Sequence, residues 1–247
     1  MDYRGRSGWM SILPQPEGLK RLGRKILDAA LPGSCLLCGA DSRGNLLCPP
    51  CTNDLPPLPT ALCPICAVPT THGERCGACL RETPHFARTI ALYCYDFPVD
   101  RIVHALKYGH QLAVAGWAGQ KLAGLSSTEA FDCIVPLPLH PERLQERGFN
   151  QSAEIARAFQ FWAKIPVDRG NVLRTRVTPP QTSMPHKERH KNVRGAFECR
   201  RDFTGQRLLL IDDVMTTGAT ANECARILKL HGAAEVTVAV IARALKH

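Results

Sequence analysis

A short stretch near the C-terminus carries the residues best suited to chemistry. It reads LLLIDDVMTTGATA, from Leu208 to Ala221. Four apolar residues suit a strand that is buried on both faces of a parallel sheet, and they lead directly into two acids, Asp212 and Asp213. Helical spacing of apolar residues resumes beyond Thr220. The pattern therefore predicts a strand, a loop and a helix, with the acids where the strand ends.

The loop has the features of a phosphate site. The start of a helix offers free backbone N–H groups and the positive end of the helix dipole, and both favour an anion. The carboxylates of Asp212 and Asp213 could accept hydrogen bonds from the two vicinal hydroxyls of a sugar. A sugar diol beside a phosphate indicates a ribose 5-phosphate. The loop residues expected to contact it are Thr216, Thr217, Gly218, Ala219 and Thr220.

The stretch resembles the signature of the type I phosphoribosyltransferases, which bind 5-phosphoribosyl 1-pyrophosphate (PRPP). The resemblance implies that Asp212 and Asp213 are the catalytic acids that hold the ribose, with magnesium bridging the pyrophosphate and the ribose hydroxyls. Hypoxanthine-type members carry an acid at the position of Thr216, so the threonine argues against purine salvage. The alternative is an ordinary strand and helix with surface acids, although two acids directly after a buried strand argue against it.

A cysteine-rich segment forms a second candidate site. Eight of the twelve cysteines lie in four CxxC pairs, and each cysteine of the first two pairs recurs 28 residues later, as Cys35 does at Cys63. Two CxxC pairs can close a tetrahedral zinc site, so the repeat predicts two structural zinc ions. The segment has few core residues, so metal must supply much of its folding energy. The expected ligands are Cys35, Cys38, Cys48 and Cys51, then Cys63, Cys66, Cys76 and Cys79.

These cysteines have two other possible uses besides zinc binding. Disulfides are disfavoured in a chain without an export signal, and a redox CxxC could explain one pair but not a fixed repeat of four. The remaining cysteines are expected to be core or incidental residues. They are Cys94, Cys133, Cys199 and Cys224.

Composition sets the broad class. The chain has 247 residues, of which 45% are hydrophobic and 21% charged, as in globular proteins, and its formal net charge of +9 favours anionic partners. No apolar run approaches the roughly 20 residues of a membrane span. We therefore expect a cytoplasmic protein. Residues 17–30 could form a basic amphipathic helix, which either packs on a domain or lies on a membrane surface.

The order of motifs resembles one family. A strand over Ile90–Asp96 precedes a helix that ends in Lys107-Tyr108-Gly109, and a second strand, Phe131–Val135, leads into PLPLHPERLQERGFNQS and a helix from Asn150. A cysteine-rich head, this LKY segment, the PLPLHP motif and the phosphoribosyl loop are together similar to the ComF family of competence-associated, phosphoribosyltransferase-like proteins. The resemblance runs from about Leu31 to Ala242.

The resemblance also implies where the rest of PRPP would be held. In phosphoribosyltransferases the loop after the first core strand commonly holds the pyrophosphate, which makes Arg143 and Arg147 candidates because an arginine fork grips phosphate oxygens. A solvated helix face is the alternative for both. The segment 178–193 would be a flexible hood that closes over PRPP. Its candidate contacts are Gln181, Lys187, Arg189 and Arg194, and its His186 and His190 are read as a solvated pair rather than a metal site.

Together these observations predict an α/β protein with a type I phosphoribosyltransferase fold, a parallel sheet flanked by helices, preceded by a small double zinc ribbon. The expected domains are an N-terminal basic helix or extension (1–31), the zinc ribbon (32–84) and the phosphoribosyltransferase-like domain (85–247). One hypothesis is an enzyme that transfers the phosphoribosyl group of PRPP to a base or amine. The other is an accessory protein of DNA uptake that senses PRPP or nucleotides and binds single-stranded DNA or a partner through its zinc head. A head that only braces the domain or pairs two subunits in a homodimer is the third.

Overall fold

A computed structural model describes residues 33–126, 129–176 and 193–245. The chain divides into two compact units, residues 1–49 and residues 50–247. The predicted basic helix at 17–30 lies outside the described residues, as does most of the predicted hood. The hood residues concerned are Gln181, His186, Lys187, Arg189 and His190. The domain boundaries at 31/32 and 84/85 stay predictions.

The second unit is built on a parallel sheet with helices on both faces. Its strands are β1 (Arg88–Cys94), β2 (Cys133–Pro136), β3 (Val172–Arg174), β4 (Phe197–Cys199), β5 (Arg207–Met215) and β6 (Glu235–Arg243). Four of them form the main sheet in the order β1-β6-β5-β2, and every neighbouring pair is parallel. This arrangement confirms the predicted fold class.

Seven helices lie in the described part of the chain. They are α1 (Pro49–Asn53), α2 (Gly77–Arg81), α3 (Val99–Tyr108), α4 (Ala113–Leu125), α5 (Pro141–Arg147), α6 (Gln151–Ala163) and α7 (Ala219–Leu230). Helices α4 and α6 pack on each other and on the sheet, while α7 packs on β4, β5 and β6. Asn150 caps α6 as predicted, since its side-chain oxygen accepts a hydrogen bond from the backbone N–H of Ser152 at 3.0 Å.

Strand β5 lies in the middle of the core. Residues 208–211 are fully buried, as the apolar run predicts, because helices cover both faces of the sheet. Leu208 and Leu210 belong to the apolar cluster that includes residues of α7 and β4. The four remaining cysteines are also buried, which agrees with their predicted core role; they are Cys94, Cys133, Cys199 and Cys224.

The predicted end of β5 was wrong by two residues. We expected the strand to stop at the acids, but it continues to Met215. The reason is that β6 is equally long: Asp212 is paired with Val240, and Met215 with Arg243. Backbone hydrogen bonds to a neighbour define a strand, and these do not require the side chains to be apolar.

The 28-residue repeat of the cysteine segment is also a repeat of backbone geometry. The N–H of Cys35 donates to the carbonyl of Ala40 at 2.7 Å, and the N–H of Cys63 donates to the carbonyl of Val68 at 2.7 Å. Each acceptor lies five residues after its donor, so both repeats fold into the same tight turn around their first CxxC pair.

Two smaller features complete the described structure. The predicted short strand at 172–174 is present as β3, but it pairs antiparallel with β4 and is not part of the main sheet. Among the described residues, no helix has both the length and the apolar character needed to cross a membrane.

The contact between α4 and α6 depends on a glycine. A Cβ atom at Gly119 would lie 2.6 Å from Cβ of Ala158 and 2.6 Å from the backbone nitrogen of Phe159. We therefore expect Gly119→Ala to lower the free energy of unfolding by about 1–3 kcal/mol through overpacking. Gly116 is the matched control, because it lies in the same helix with open space around it. Gly116→Ala should raise stability by about 0.5–1 kcal/mol in urea unfolding. Equal stability of the two variants would contradict the predicted packing.

Candidate functional site

Two adjacent acids occupy the carboxyl end of β5. The carboxylate of Asp212 accepts hydrogen bonds from the hydroxyl of Ser152 at 3.0 Å and from the backbone N–H of Asp213 at 2.8 Å. Ser152 lies in the first turn of α6, which begins near the carboxyl end of β2. The capped start of α6 therefore places a hydroxyl donor against the acid.

A lysine that the sequence analysis did not select pairs with the second acid. The ammonium nitrogen of Lys107 lies 2.9 Å from Oδ1 of Asp213, and both side chains are largely buried. Lys107 belongs to the last turn of α3, whose apolar residues pack into the core. The LKY motif noted in the sequence was the available signal, because a lysine at the end of an apolar helix face needs a partner when it is buried.

Asp212 and Lys107 both interact with Asp213, and both have shifted pKa values. The pKa of Asp212 is raised to about 7 by burial of its carboxyl group and by the negative charge of Asp213, while Lys107 acts in the opposite direction. Burial alone would lower the pKa of Lys107, but the charge and hydrogen bond of Asp213 outweigh it, and the pKa of Lys107 is raised. Lys107 is thus held as a cation, and Asp212 titrates near neutral pH.

The loop after β5 has the backbone of an anion site. Gly218 adopts a left-handed conformation with φ of +82° directly before α7, and a Cβ atom there would lie 2.6 Å from Cε of Met215. Both facts favour glycine at this position. The backbone N–H of Ala219 donates to the hydroxyl of Thr217 at 3.2 Å, so this hydroxyl supports the turn itself. The predicted loop residues 216–220 therefore lie together at the N-terminus of a twelve-residue helix.

Arginines in two other elements, α5 and β3, add positive charge near the acids. Arg147, at the end of α5, stacks on Tyr108, with its guanidinium carbon 5.2 Å from the ring centroid. Burial and the positive charge of Arg143 lower the pKa of Arg174 in β3, while the negative charge of Asp212 opposes them. Arg143, Arg174 and Asp212 therefore interact electrostatically. Arg143 and Arg147 are candidates from the sequence, whereas Arg174 lies in no recognisable motif and becomes a candidate only in the structure.

Only one of the proposed hood contacts can be placed. Arg194 lies within the described residues, next to Gly195, whose backbone N–H donates to the carboxylate of Glu223 in α7 at 2.7 Å. The chain directly after the predicted hood segment is therefore tied to the helix that follows the phosphate loop.

The eight CxxC cysteines form two clusters, as the repeat predicted. Within each cluster the four sulfur atoms all lie within 4.8 Å of one another. The Sγ atoms of Cys38 and Cys48 are 3.6 Å apart, as are those of Cys66 and Cys76. A tetrahedral ion with Zn–S bonds of about 2.3 Å requires sulfur separations of about 3.8 Å, so both clusters fit zinc. The clusters are Cys35, Cys38, Cys48 and Cys51, then Cys63, Cys66, Cys76 and Cys79.

The backbone prepares one thiolate in each cluster. Burial alone would raise the pKa of Cys35, but hydrogen bonds from backbone N–H groups, first those of Cys38 and Cys48, lower it to about 6. The pKa of Cys63 is lowered to about 7 in the same way, against burial. Deprotonated cysteine is the form that binds zinc. Both four-cysteine groups are therefore zinc sites.

Comparisons with known proteins identify two related domains and several relatives. Residues 26–80 match the double zinc ribbon domain, and residues 147–246 match the phosphoribosyl transferase domain. The chain is 32% identical over 225 residues to the DNA utilization protein YhgH of Escherichia coli K12, which covers 87% of this chain and 99% of that protein. It is 29% identical over 231 residues to competence protein F of Haemophilus influenzae, which covers 85% of this chain and 96% of that protein.

One solved structure has a low similarity to this chain. The phosphoribosyltransferase from Corynebacterium diphtheriae matches 57% of this chain and 77% of its own chain, with 15% sequence identity and a TM-score of 0.36.

The raised pKa of Asp212 predicts a specific dependence of stability on pH. The folded protein keeps a proton on this carboxyl up to a pH of about 7, whereas its ordinary value is 3.8. The stability from this group is therefore complete below the ordinary value and is lost as pH rises through about 7. Asp212→Asn cannot ionise, so its melting temperature should fall less between pH 5 and pH 8, by a few degrees relative to the wild type.

The control for this prediction is Asp202→Asn. Asp202 is a solvent-exposed acid whose pKa is lowered, first by the hydroxyl of Thr204, so it is ionised throughout the same pH range. This variant should follow the wild-type pH profile. Parallel profiles of Asp212→Asn and the wild type would contradict the assignment.

Proposed function

The chain belongs to the ComF family of competence and DNA utilization proteins, and on this premise we propose that it binds PRPP together with magnesium at the carboxyl edge of its sheet. The observation that carries the proposal is the acidic pair near the end of β5, followed in the next loop by a left-handed glycine and a helix N-terminus. A diol acceptor that precedes an anion site along the chain suits the two ends of a ribose 5-phosphate.

Each part of the site has a role in this proposal. Asp212 and Asp213 accept hydrogen bonds from the ribose hydroxyls, and the loop 216–220 holds the 5-phosphate with its backbone N–H groups and threonine hydroxyls. Arg143 and Arg147 hold the pyrophosphate. Magnesium is supported by the donor set, because carboxylate and phosphate oxygens are the ligands it prefers. When bound, the ion would neutralise charge on the pyrophosphate.

The positive charge contributed by the protein is part of the argument. Lys107 neutralises Asp213 in the ligand-free protein and would become available to the anionic ligand when the acid binds the ribose. Arg174 adds a second, partly buried cation that interacts electrostatically with Asp212. A polyanion that enters this edge therefore gains charge compensation in an environment of low dielectric, where such interactions are strong.

We further propose that the bound PRPP can react. The nitrogen of a base or amine would form a bond to C1 of the ribose as the bond from C1 to pyrophosphate breaks; pyrophosphate leaves with the bonding electrons, and the acceptor loses a proton. Catalysis would come from positioning and from the charges that stabilise the leaving group. Thr216 argues for an acceptor other than a hypoxanthine-type purine. A cytoplasmic location and a homodimer stay predictions.

A second function, the binding of single-stranded DNA, is favoured by a surface beside the site. We name it the aromatic–basic surface and define it by His104, Tyr108, His110, Arg147 and Phe149. The rings of His104 and Tyr108 lie 4.7 Å apart, Arg147 covers Tyr108, and the rings of His110 and Phe149 lie 5.6 Å apart. Exposed rings interleaved with arginine are the features on which bases of a single strand stack.

This surface suits DNA better than the zinc head that the sequence hypothesis preferred. Residues 32–84 contain no Phe, Tyr or Trp, so the head offers no large ring for stacking. Tyr108, by contrast, is 59% exposed. The family names of the relatives, DNA utilization protein and competence protein, are consistent with a role in handling DNA.

The first experiment measures PRPP binding by calorimetry with the zinc-loaded protein and magnesium. At pH 8, where Asp212 is ionised, the double variant Asp212→Asn/Asp213→Asn should raise the Kd at least about 100-fold, because it removes two charged hydrogen-bond acceptors, each of which contributes about 1.5–3 kcal/mol. Asp202→Asn is the matched control and should bind like the wild type. Wild-type protein that does not bind magnesium PRPP would contradict the proposal, and binding without pyrophosphate release for any base or amine would limit it to sensing.

The DNA hypothesis is tested by fluorescence anisotropy with a labelled single-stranded oligonucleotide at low ionic strength. Tyr108→Ala should weaken binding about 5- to 100-fold, because stacking on an aromatic ring contributes about 1–3 kcal/mol per base. Tyr108→Phe keeps the ring and should bind like the wild type. Trp162→Ala removes an exposed ring from α6 that packs only edge-on against Phe161, and it serves as the control. Equal affinity of Tyr108→Ala and the wild type would exclude this surface as the DNA site.

A further inference from the structure

A buried arginine at the end of β6 connects the second zinc cluster to the phosphate loop. The guanidinium group of Arg243 donates hydrogen bonds from Nε to the carbonyl of Cys66 at 2.7 Å and from Nη1 to the carbonyl of Met215 at 3.0 Å. The carbonyls of Thr216 and Ala244 accept hydrogen bonds from the same nitrogen. Arg243 is only 4% exposed. One side chain thus joins a cluster ligand to the first residues of the loop, although Arg243 and Cys66 are 177 residues apart in sequence.

The charge of Arg243 needs compensation. A buried cation is costly unless negative charge lies nearby, and within the described residues no carboxylate forms an ion pair with it. Arg243 lines the same cavity as three cysteines of the second cluster, Cys66, Cys76 and Cys79. Four thiolates carry more negative charge than one Zn²⁺ ion neutralises, so the loaded cluster remains anionic. The second zinc site is therefore the natural counter-charge of Arg243.

The same hydrogen bonds control the direction of the loop amides. The carbonyl of Thr216 and the N–H of Thr217 belong to one planar trans peptide and point in opposite directions. When the carbonyl is turned toward Arg243, the N–H is turned away from it. The carbonyl of Met215 fixes the N–H of Thr216 in the same way, and it is held by Arg243 together with the backbone N–H of Ala244, which donates to it at 2.9 Å. Arg243 thereby sets the orientation of two of the N–H groups that begin the phosphate loop.

Two further observations show that the second repeat lies near the loop. A cavity of about 670 Å³ is lined by Cys66, Cys76 and Cys79 together with Thr217 and Gly218. Beside it, the side-chain oxygen of Asn222, in the first turn of α7, accepts a hydrogen bond from the backbone N–H of His85 at 2.7 Å. The helix that follows the loop is therefore tied to the chain leaving the second cluster.

We propose that the second zinc site is a working part of the phosphate site: the zinc-loaded cluster holds Arg243, and Arg243 holds the loop 215–218 in its binding geometry. Arg243 is a positioning residue, because it acts through the loop backbone and does not contact the ligand. The inference deepens the proposed function, since the loop it concerns is the proposed 5-phosphate site. Loss of zinc from the second cluster then weakens PRPP binding, whereas loss from the first cluster does not.

The decisive measurement needs no ligand. Hydrogen exchange of the backbone amides of residues 216–219 is compared in the zinc-loaded wild type, Arg243→Gln, and two cysteine variants that each disable one cluster. Cys76→Ser acts on the second cluster, and Cys38→Ser is its matched control in the first. Exchange should become about tenfold faster or more in Arg243→Gln and in Cys76→Ser, because charged hydrogen bonds are among the stronger ones and their loss lets the loop open. Cys38→Ser should leave loop exchange unchanged, as should all variants in the amides of β1.

Two additions separate positioning from a general loss of structure. Arg243→Gln should retain both zinc ions per chain, measured with a chromogenic chelator, and so isolates the hydrogen bonds even if Cys76→Ser fails to fold. Arg243→Lys keeps the charge with fewer donors and should give exchange rates between those of the wild type and Arg243→Gln. Calorimetry with magnesium PRPP should show the same order, with the Kd of Arg243→Gln raised about tenfold or more.

The outcomes are distinguishable. Unchanged loop exchange in zinc-loaded Arg243→Gln, or an equal effect of Cys38→Ser and Cys76→Ser, would overturn the inference. If the wild type fails to bind PRPP, the proposed ligand is wrong, yet the exchange rates still decide whether the second cluster controls the loop.

Discussion

The parallel pairing of β5 with β2 on one side and β6 on the other is the constraint on which the site depends. Parallel strands end at the same edge of a sheet, so the segments that follow β2 and β5 and the last residues of β6 must meet there. The pairing persists beyond the apolar run because β6 supplies backbone partners as far as Arg243. As a result, both acids stay within the strand, and the loop begins only after Met215. A rigid strand thus carries the acids, and the adaptable backbone is confined to the phosphate loop.

This arrangement also brings opposite charges together in a region that is largely removed from water. Two carboxylates side by side would repel each other, and the structure relieves this with Lys107 on Asp213 and a hydroxyl donor on Asp212. Arg174 adds positive charge from a different layer. The negative charge of the two acids is only partly compensated, because Asp212 still holds its proton to near neutral pH. Buried, paired charges of this kind contribute little to the stability of the fold. They are suited to binding a ligand that has both hydroxyl donors and negatively charged phosphates.

The zinc ribbon solves a different physical problem. Its segment has no aromatic residue and little apolar surface to bury, so metal–thiolate bonds take the place of a core. The turn around the first CxxC pair is repeated with the same hydrogen bond in both halves. In each half, other backbone N–H groups, first that of the second cysteine of the pair, lower the pKa of the leading cysteine. The second half lies in the same compact unit as the sheet. That placement gives it neighbours beyond its own zinc site, of which the buried Arg243 is the most consequential.

Local sequence patterns were sufficient to predict the features that depend on the spacing of residues along the chain. The four CxxC pairs, the strand–loop–helix around Asp212 and Asp213, the glycine at 218 and the cap of α6 were all readable from the sequence, because a turn, a cap or a pair of ligands needs only a few consecutive residues. The sequence also identified the family and the sheet type. It misjudged the end of β5, since the partner that prolongs the strand lies in β6, beyond α7.

The groups that complete the site were decided by tertiary structure alone. Ser152 reaches Asp212 across 60 residues of sequence, and Arg243 reaches Cys66 across 177. Lys107 and Arg174 likewise acquire their roles only when separate elements pack together. The physical reason is that the need for these residues arises from burial: a serine, lysine or arginine is ordinary until folding removes water from a charge and leaves a distant side chain as its partner. The sequence determined the ligands and the loop, and the packing of the sheet determined what surrounds and holds them.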